Sequence, residues 1–406
     1  MAKKIISFIL FFFLFIVSIN ADELNLSSDK YILYNMNDDN VLMEHNSDKK
    51  TQIASLTKIM TTIVAIENVK DYNKKITITK EMFNDVAWDV ATAGYKVGDK
   101  VTYNDLFYGA ILPSGADAVN ALAYTVFGNY DDFIKKMNEK AKQLGLKNTK
   151  FSNPIGLYDE NNYSSAKDVS TLLIYALKNT KFKEIFTTKN YTSTNGVKMK
   201  STIESYNSKN GNADLNYITG AKTGYIKKAG YCLATTAEID GIEYLLVTLN
   251  AYSTGAPHIK DAVKTYKYYS ENYSYKNIVK KDTIVVTLPT KYSKNKEIDI
   301  KANKNIKQYL KNDFNSNNIE YKYDGEKYVT PFTKQGTKLG TIEIKYNNKT
   351  LDKFDLIYSQ KVKFSIFNFL WTYKFIIIIF VLLIYIKLKS NKVKKVRRKR
   401  KMYKKI

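Results

Sequence analysis

Several residues that carry chemistry or crosslinks are scarce in this chain. It has one cysteine, Cys232, so no disulfide framework can hold it together. It has two histidines, His45 and His258, far apart in sequence and with no cysteine cluster nearby, so no zinc site is expected. Its only arginines are Arg397, Arg398 and Arg400, all in the last ten residues, so the rest of the chain has no guanidinium to grip a carboxylate. Acids are also unevenly placed. None occurs in residues 1–21, and none in the tail from Lys387 to Ile406. The apolar fraction of 44% against 25% charged residues excludes global disorder.

The chain has 406 residues and a net charge of +25. That length allows two or three domains. Taken alone, the charge suggests a polyanionic partner. Its distribution says otherwise. Twelve of the charges lie in the tail and two, Lys3 and Lys4, near the start, which leaves +11 on residues 22–386. Lys3 and Lys4 precede an apolar run from Ile5 to Val17, and Ala21 offers a small residue at a cleavage point, so residues 1–21 read as a secretory signal. At the other end, Phe375 to Ile386 is an unbroken apolar run. With residues 361–374 it makes a juxtamembrane and transmembrane helix over 361–386, with Trp371, Tyr373 and Lys374 near one interface. The basic tail, 387–406, is then the cytoplasmic flank of a single-pass membrane protein, and no nucleic-acid partner is expected.

Between these ends the pattern changes twice. Lys30–Tyr34 and Val41–His45 are extended runs around a turn-rich Asn37–Asn40 and predict a hairpin. From Ser55 the spacing of Ile59, Ile63, Ile66 and Val69 predicts an amphipathic helix. Further helices are expected from about Asp117, over Asp131–Leu144 with a stop at Gly145, and over Ala166–Leu177. Ala229–Ile239 and Ile242–Asn250 flank Asp240-Gly241 and predict a second hairpin, followed by a helix over Asp261–Tyr273. Strands at both ends of a helical middle imply an α/β sandwich whose N- and C-terminal strands meet in one antiparallel sheet. Residues 278–360 hold strand-like runs between polar loops and no catalytic constellation, and they read as a small all-β module. No internal repeat occurs.

Three short motifs carry chemistry. In Ser55-Leu-Thr-Lys58, positions i and i+3 share a helix face, so a neutral lysine can take the proton of a nucleophilic serine. The spacing alone is weak, since Ser27/Lys30, Ser47/Lys50, Ser164/Lys167 and Ser293/Lys296 repeat it, and a helix N-cap serine is the plainer reading. Lys222-Thr-Gly224 precedes a strand pair. Its cation and hydroxyl can hold a carboxylate, and its glycine lets a substrate backbone come close. Otherwise it is a surface turn. Ser114-Gly-Ala116 sits before an alanine-rich helix and could supply a second hydroxyl as a proton relay.

Together, in the order Ser55, Ser114, Lys222, these motifs resemble the penicillin-recognising serine hydrolases. The segments Ile53–Thr61, Leu112–Ala118, Phe151–Leu157 and Gly220–Cys232 look like the D-alanyl-D-alanine carboxypeptidases, the low-molecular-mass penicillin-binding proteins. The resemblance covers roughly residues 25–275. Lys334–Gly340 resembles part of that family's C-terminal β domain. It implies a β-lactamase/transpeptidase-like catalytic domain over 22–277 and a C-terminal β domain over 278–360. It also implies an acyl-enzyme on Ser55, with Lys58 as proton acceptor and Ser114 as relay. Lys222, Thr223, Gly224 and Tyr225 would bind substrate, and the backbone N–H groups of Ser55 and Tyr225 would form the oxyanion hole. The substrates would be peptidoglycan stem peptides ending in D-Ala-D-Ala, β-lactams would be inhibitors trapped on Ser55, and no metal or cofactor would be needed.

Two departures from the family pattern stand out. Ala116 occupies the place of the asparagine usual in the middle motif. The arginine usual after the third motif's strands is missing, and His258 or Lys260 would have to stand in without a bidentate fork. Cys232 reads as a buried structural thiol, and Trp88 as packing. Two other functions fit some of these features. A serine β-lactamase shares the first and third motifs but needs a deacylating glutamate, for which there is no convincing candidate. A catalytically degraded cell-wall binding protein fits Ala116 and the missing arginine, but leaves Ser55, Lys58 and Lys222 without a reason to be there.

Overall fold

The computed structural model describes residues 24–84, 86–210 and 213–403, with side chains described to residue 397. The expected signal over residues 1–21 lies outside the described residues. The chain divides into two compact units that meet at Glu271/Asn272.

The first unit opens with a hairpin of β1 (Ser28–Asn35) and β2 (Asn40–His45). A one-turn 3-10 segment, Ala54–Leu56, leads into α1 (Thr57–Asn68). A small ribbon, β3 (Lys75–Thr77) with β4 (Lys100–Thr102), precedes α2 (Tyr103–Ile111), α3 (Ala116–Val126) and α4 (Tyr130–Gln143). Then come α5 (Ala166–Leu177), α6 (Thr180–Thr187), the ribbon of β5 (Asn190–Thr192) and β6 (Lys198–Lys200), and α7 (Thr202–Asn210). The unit closes with β7 (Ile218–Ile226), β8 (Gly230–Ile239), β9 (Ile242–Ala251) and α8 (Pro257–Asn272).

One antiparallel sheet organises this unit, in the order β2-β1-β9-β8-β7. The N- and C-terminal strands meet as expected, with Leu33 opposite Leu246 in the β1/β9 register. The β8–β9 turn takes positive φ at Asp240 and Gly241, which that dipeptide tolerates best. The α8 helix packs on the sheet through Tyr266, whose hydroxyl lies 2.8 Å from that of Thr235. Asp261 on α8 accepts from the backbone N–H of Ser27 and Ser28 at 2.9 and 2.8 Å and ties down the start of β1.

The α1 helix differs from the amphipathic reading. Every residue from Thr57 to Ile66 is buried, so it is the central helix of the unit. Its apolar positions pack into the core with Phe107 and Leu122, while Lys58, Thr57 and Thr61 form an equally buried polar side. Buried polar groups on such a helix call for internal partners, which Thr61 and Lys58 have and the Thr57 and Thr62 hydroxyls lack among the described residues. For Lys58 those partners are part of the site.

The second unit is a β module followed by helices. Strands β10 (Tyr273–Val279) and β13 (Ile306–Lys311) pair, as do β11 (Ile284–Pro289) and β12 (Glu297–Lys301). A three-stranded sheet runs β14 (Ile319–Gly325), β15 (Lys338–Tyr346), β16 (Lys349–Ile357). Ile278, Val285, Ile300, Ile342 and Leu356 share its core. Beyond it lie α9 (Ile366–Thr372) and α10 (Lys374–Tyr403), bent by 74° at their junction. No single helix among the described residues is long and apolar enough to cross a membrane, but this bent pair passes together. The single continuous helix expected there is broken at Tyr373. The physical reason is a set of bonds to a segment distant in sequence. Tyr373 bonds the Tyr292 hydroxyl at 2.7 Å, the Asn368 amide donates to the Ser293 carbonyl, and Ser365 N–H donates to the Tyr292 carbonyl at 2.8 Å. These bonds hold α9 against the module.

Candidate active site

Ser55 lies in the 3-10 segment that feeds α1, and Lys58 lies in the first turn of that helix. Lys58 Nζ is 2.8 Å from Ser55 Oγ and donates to the Ile155 carbonyl at 2.8 Å. The residue before the serine, Ala54, adopts a positive φ of 49°, a conformation that costs an L-residue energy and is concentrated at functional turns. Opposite the serine, Gly224 of edge strand β7 comes so close that a Cβ there would lie 3.0 Å from Ser55 N and 3.1 Å from the Ile53 carbonyl. A side chain at this position of the third motif would crowd the serine's own backbone, which the glycine avoids.

A second serine–lysine pair faces the first. Ser114 sits just before α3 with a φ of 63°. Lys222 Nζ lies 2.8 Å from Ser114 Oγ and donates to the Thr223 carbonyl at 2.9 Å, linking residues 108 apart in sequence. Both lysines are fully buried. Burial pushes Lys58 down to about 7, while the nearby charge of Asp117 partly supports its proton. Burial, and then repulsion from Lys58, push Lys222 well below the usual lysine range. Two buried cations this close cannot both hold their protons cheaply, so the site favours a neutral amine at neutral pH.

The remaining predicted residues fall around this pair. Thr223 is buried, and its hydroxyl lies 2.6 Å from that of Thr202. Tyr225 is half exposed and stands against Tyr231, ring centroids 4.5 Å apart. His258 stacks on Tyr231 at 4.9 Å and is met edge-on by Tyr206. It is wholly buried, neither ring nitrogen has a partner among the described residues, and burial pushes its pKa down to about 4. Burial disfavours a charged imidazole, so His258 is poorly suited to the place of the missing arginine. Lys260 is exposed and reaches back over Gly255. Cys232, opposite Gly224 in the β7/β8 register, is buried, and burial pushes its thiol up to about 12.

Sequence reasoning missed the supports of this arrangement. The buried Asp117 carboxylate accepts from the backbone N–H groups of Ala93, Gly94 and Tyr95 at 2.7, 3.1 and 3.0 Å, clamping that loop beside Gly115. Asn153 Oδ1 accepts from Gly156 N–H and Leu157 N–H at 2.7 and 3.0 Å and shapes the turn that presents the Ile155 carbonyl to Lys58. Thr61 donates to the Pro154 carbonyl at 2.7 Å, fastening the same turn to α1. All three lie inside motif segments, so their neighbourhood was visible. Thr202 carries no sequence signal at all.

Residues 17–253 match the family described as D-alanyl-D-alanine carboxypeptidase, peptidase S11, and residues 273–363 match the penicillin-binding protein 5 C-terminal domain. Among curated relatives, the D-alanyl-D-alanine carboxypeptidase DacF of Bacillus subtilis is 27% identical over 84% of this chain and 88% of that protein. The D-alanyl-D-alanine carboxypeptidase DacC of Escherichia coli is 30% identical over 82% of this chain and 84% of its own length. Among solved structures, penicillin-binding protein 5 from Haemophilus influenzae superposes with a TM-score of 0.62 over 83% of this chain and 98% of that one, at 23% identity, which shows the shared fold.

Proposed function

The chain belongs to the D-alanyl-D-alanine carboxypeptidase family, and on that premise we propose that it removes the terminal D-alanine of peptidoglycan stem pentapeptides through an acyl-enzyme on Ser55. Family membership makes it a serine-type carboxypeptidase acting on peptidoglycan. The observation that carries the residue assignment is the meeting of two serine–lysine pairs, each at 2.8 Å, around a strand glycine pressed against Ser55.

The chemistry follows from the two amines. Neutral Lys58 donates one N–H to the Ile155 carbonyl, which leaves its lone pair to take the Ser55 proton as Oγ attacks the carbonyl between the two D-alanines. Lys222 and Thr223 hold the terminal carboxylate. That negative charge favours the protonated form of Lys222, which draws the pair's shared proton away from Lys58 and prepares the base as substrate docks. Ser114, bonded to Lys222, passes a proton to the departing D-alanine and is reprotonated in turn by the proton that Lys58 took from Ser55. Water then releases the shortened peptide. A β-lactam presents a similar carboxylate and acyl group and is trapped on Ser55.

The domain limits proposed here are 22–277 for the catalytic domain and 278–360 for the β domain, preceded by a signal over 1–21. Residues 361–386 form the membrane anchor, with the tail 387–406 in the cytoplasm. The bent pair of α9 and α10 supports the anchor. Phe367, Leu370 and Trp371 are exposed on α9, and Phe375 to Ile386 are exposed on α10. No nucleic-acid partner enters this scheme.

Labelling with a fluorescent penicillin tests the proposal, together with D-alanine release from a pentapeptide. Ser55→Ala should lose the label and lower D-alanine release by at least about 1,000-fold. Equal labelling of wild type and variant would refute the acyl-enzyme on Ser55. Fast β-lactam turnover without peptide cleavage would favour a β-lactamase.

A further inference from the structure

The site has no arginine, yet on the carboxypeptidase reading it must select a substrate by a terminal carboxylate. The hydroxyl of Thr223 is one donor available for that task beside Lys222. A hydroxyl has one proton to give and lone pairs to receive with. Thr223 Oγ1 lies 2.6 Å from Thr202 Oγ1, inside the range of a good O–H···O bond. Within that pair one hydroxyl must donate to the other. If Thr223 donates to Thr202, it turns lone pairs towards an incoming carboxylate and repels it. If Thr202 donates, the Thr223 proton is free for the substrate.

We infer that Thr202 is a positioning residue that orders the proton of Thr223, so that the Thr223 hydroxyl donates to the terminal carboxylate of the substrate. Neither hydroxyl has another side-chain partner among the described residues. The place of Thr202 is fixed independently of Thr223. It is the first residue of α7, and its N–H donates to the Leu112 carbonyl at 3.0 Å, two residues before Ser114. The N–H of the preceding Ser201 donates to the Lys189 carbonyl at 2.9 Å. The backbone therefore presents the Thr202 hydroxyl to Thr223 before substrate arrives, and it couples the carboxylate grip to the segment that carries Ser114. Each hydroxyl in the resulting chain is polarised by the one before it, which strengthens the last bond, to the anion.

This inference rests on the carboxypeptidase reading, and its test separates the two. The full-length protein in detergent is given two peptides, a stem-peptide mimic ending in D-Ala-D-Ala and the same peptide with a C-terminal carboxamide. Wild type should favour the acid. Thr202→Val should lower kcat/KM for the acid by about tenfold or more, the scale of a hydrogen bond to a charged group. The amide peptide should change by less than about twofold, because a carboxamide can accept or donate at Thr223. Thr202→Ser should restore selectivity. If the valine variant does not fold, Thr202→Ala, which adds no methyl group, is read in the same way. An equal fall on both peptides, no fall on either, or a serine variant as poor as the valine one overturns the inference. A wild-type protein that releases no D-alanine overturns the carboxypeptidase reading and the inference with it. Wild-type cleavage with unchanged selectivity in the variants removes only the inference.

Discussion

The two serine–lysine pairs of the catalytic unit have the same distances and opposite construction. Ser55 and Lys58 are three residues apart at the start of one helix, whereas Ser114 and Lys222 are 108 residues apart, on the turn before α3 and an edge strand. Each lysine is buried, 2.8 Å from its serine and 2.8 or 2.9 Å from a backbone carbonyl. What differs is the third charge. Asp117 supports the proton of Lys58, while the charge that acts on Lys222 is that of Lys58 itself. Geometry alone would allow either lysine to serve as base. The surrounding charge gives them different tasks, and substrate completes the division by bringing a carboxylate to Lys222.

The largest expected effect comes from removing one lysine at a time. Lys58→Ala should slow acylation by fluorescent penicillin by about 1,000-fold, the scale of a lost general base. Lys222→Ala should cost less, and its loss should fall mainly on ligands with a free carboxylate. Stopped-flow labelling of both variants checks this. A greater loss at Lys222 than at Lys58, on ligands without a carboxylate, would reverse the assignment.

The pH profile sharpens the same contrast. With Lys58 pushed down to about 7, the acylation rate should rise with pH up to about 7 and then level off. Lys58→Ala should abolish that limb. Stability has a related signature. The folded pKa of Lys58 lies below its unfolded value, so between about 7 and the ordinary lysine range the unfolded chain binds more protons. Stability should therefore climb with pH across that window, and the penalty for burying the amine is fully present below it. Lys58→Met should make the climb shallower, leaving the share of the similarly depressed Lys222, in urea titrations run at a series of pH values. An unchanged slope would mean that another group carries it.

How much of this was legible in the sequence depends on whether a feature is local. The Ser55/Lys58 pair is a spacing, the Asp240-Gly241 hairpin is a dipeptide, and α5 over Ala166–Leu177 is a hydrophobic period; the structure has the hairpin and the helix at those places. The central position of α1 was not legible, because burial on every side depends on helices α2 to α4 from elsewhere in the chain. The break at Tyr373 was hidden for the same reason. Its hydroxyl partner, Tyr292, lies 81 residues away. Thr202 shows the limit most clearly, since a threonine at a helix start is ordinary until its hydroxyl is found 2.6 Å from Thr223. The family match over 17–253 supplied what spacing could not, since it takes in all three motifs at once.

The smallest effect tests how rigidly the first pair is held. Gly156 follows the carbonyl that binds Lys58 and has a φ of 88°. A Cβ there would lie 2.0 Å from the Ala54 carbonyl oxygen, so Gly156→Ala must shift either the turn or the segment carrying Ser55. The strained φ adds to that clash, and the total should be about 1–3 kcal/mol of stability. Gly145→Ala is the matched control. Its φ is also positive, at 72°, but a Cβ there meets nothing within 4 Å. It should cost about 1 kcal/mol and leave acylation unchanged. If the 156 turn positions the base, Gly156→Ala should slow acylation several-fold beyond what its stability loss explains, and it should shift the rising limb of the pH profile, because the Ile155 carbonyl no longer holds Lys58 in place. If the alanine at 156 behaves like the alanine at 145 in both respects, the carbonyl is a structural acceptor only, and the division between the two lysines rests on charge rather than on the turn.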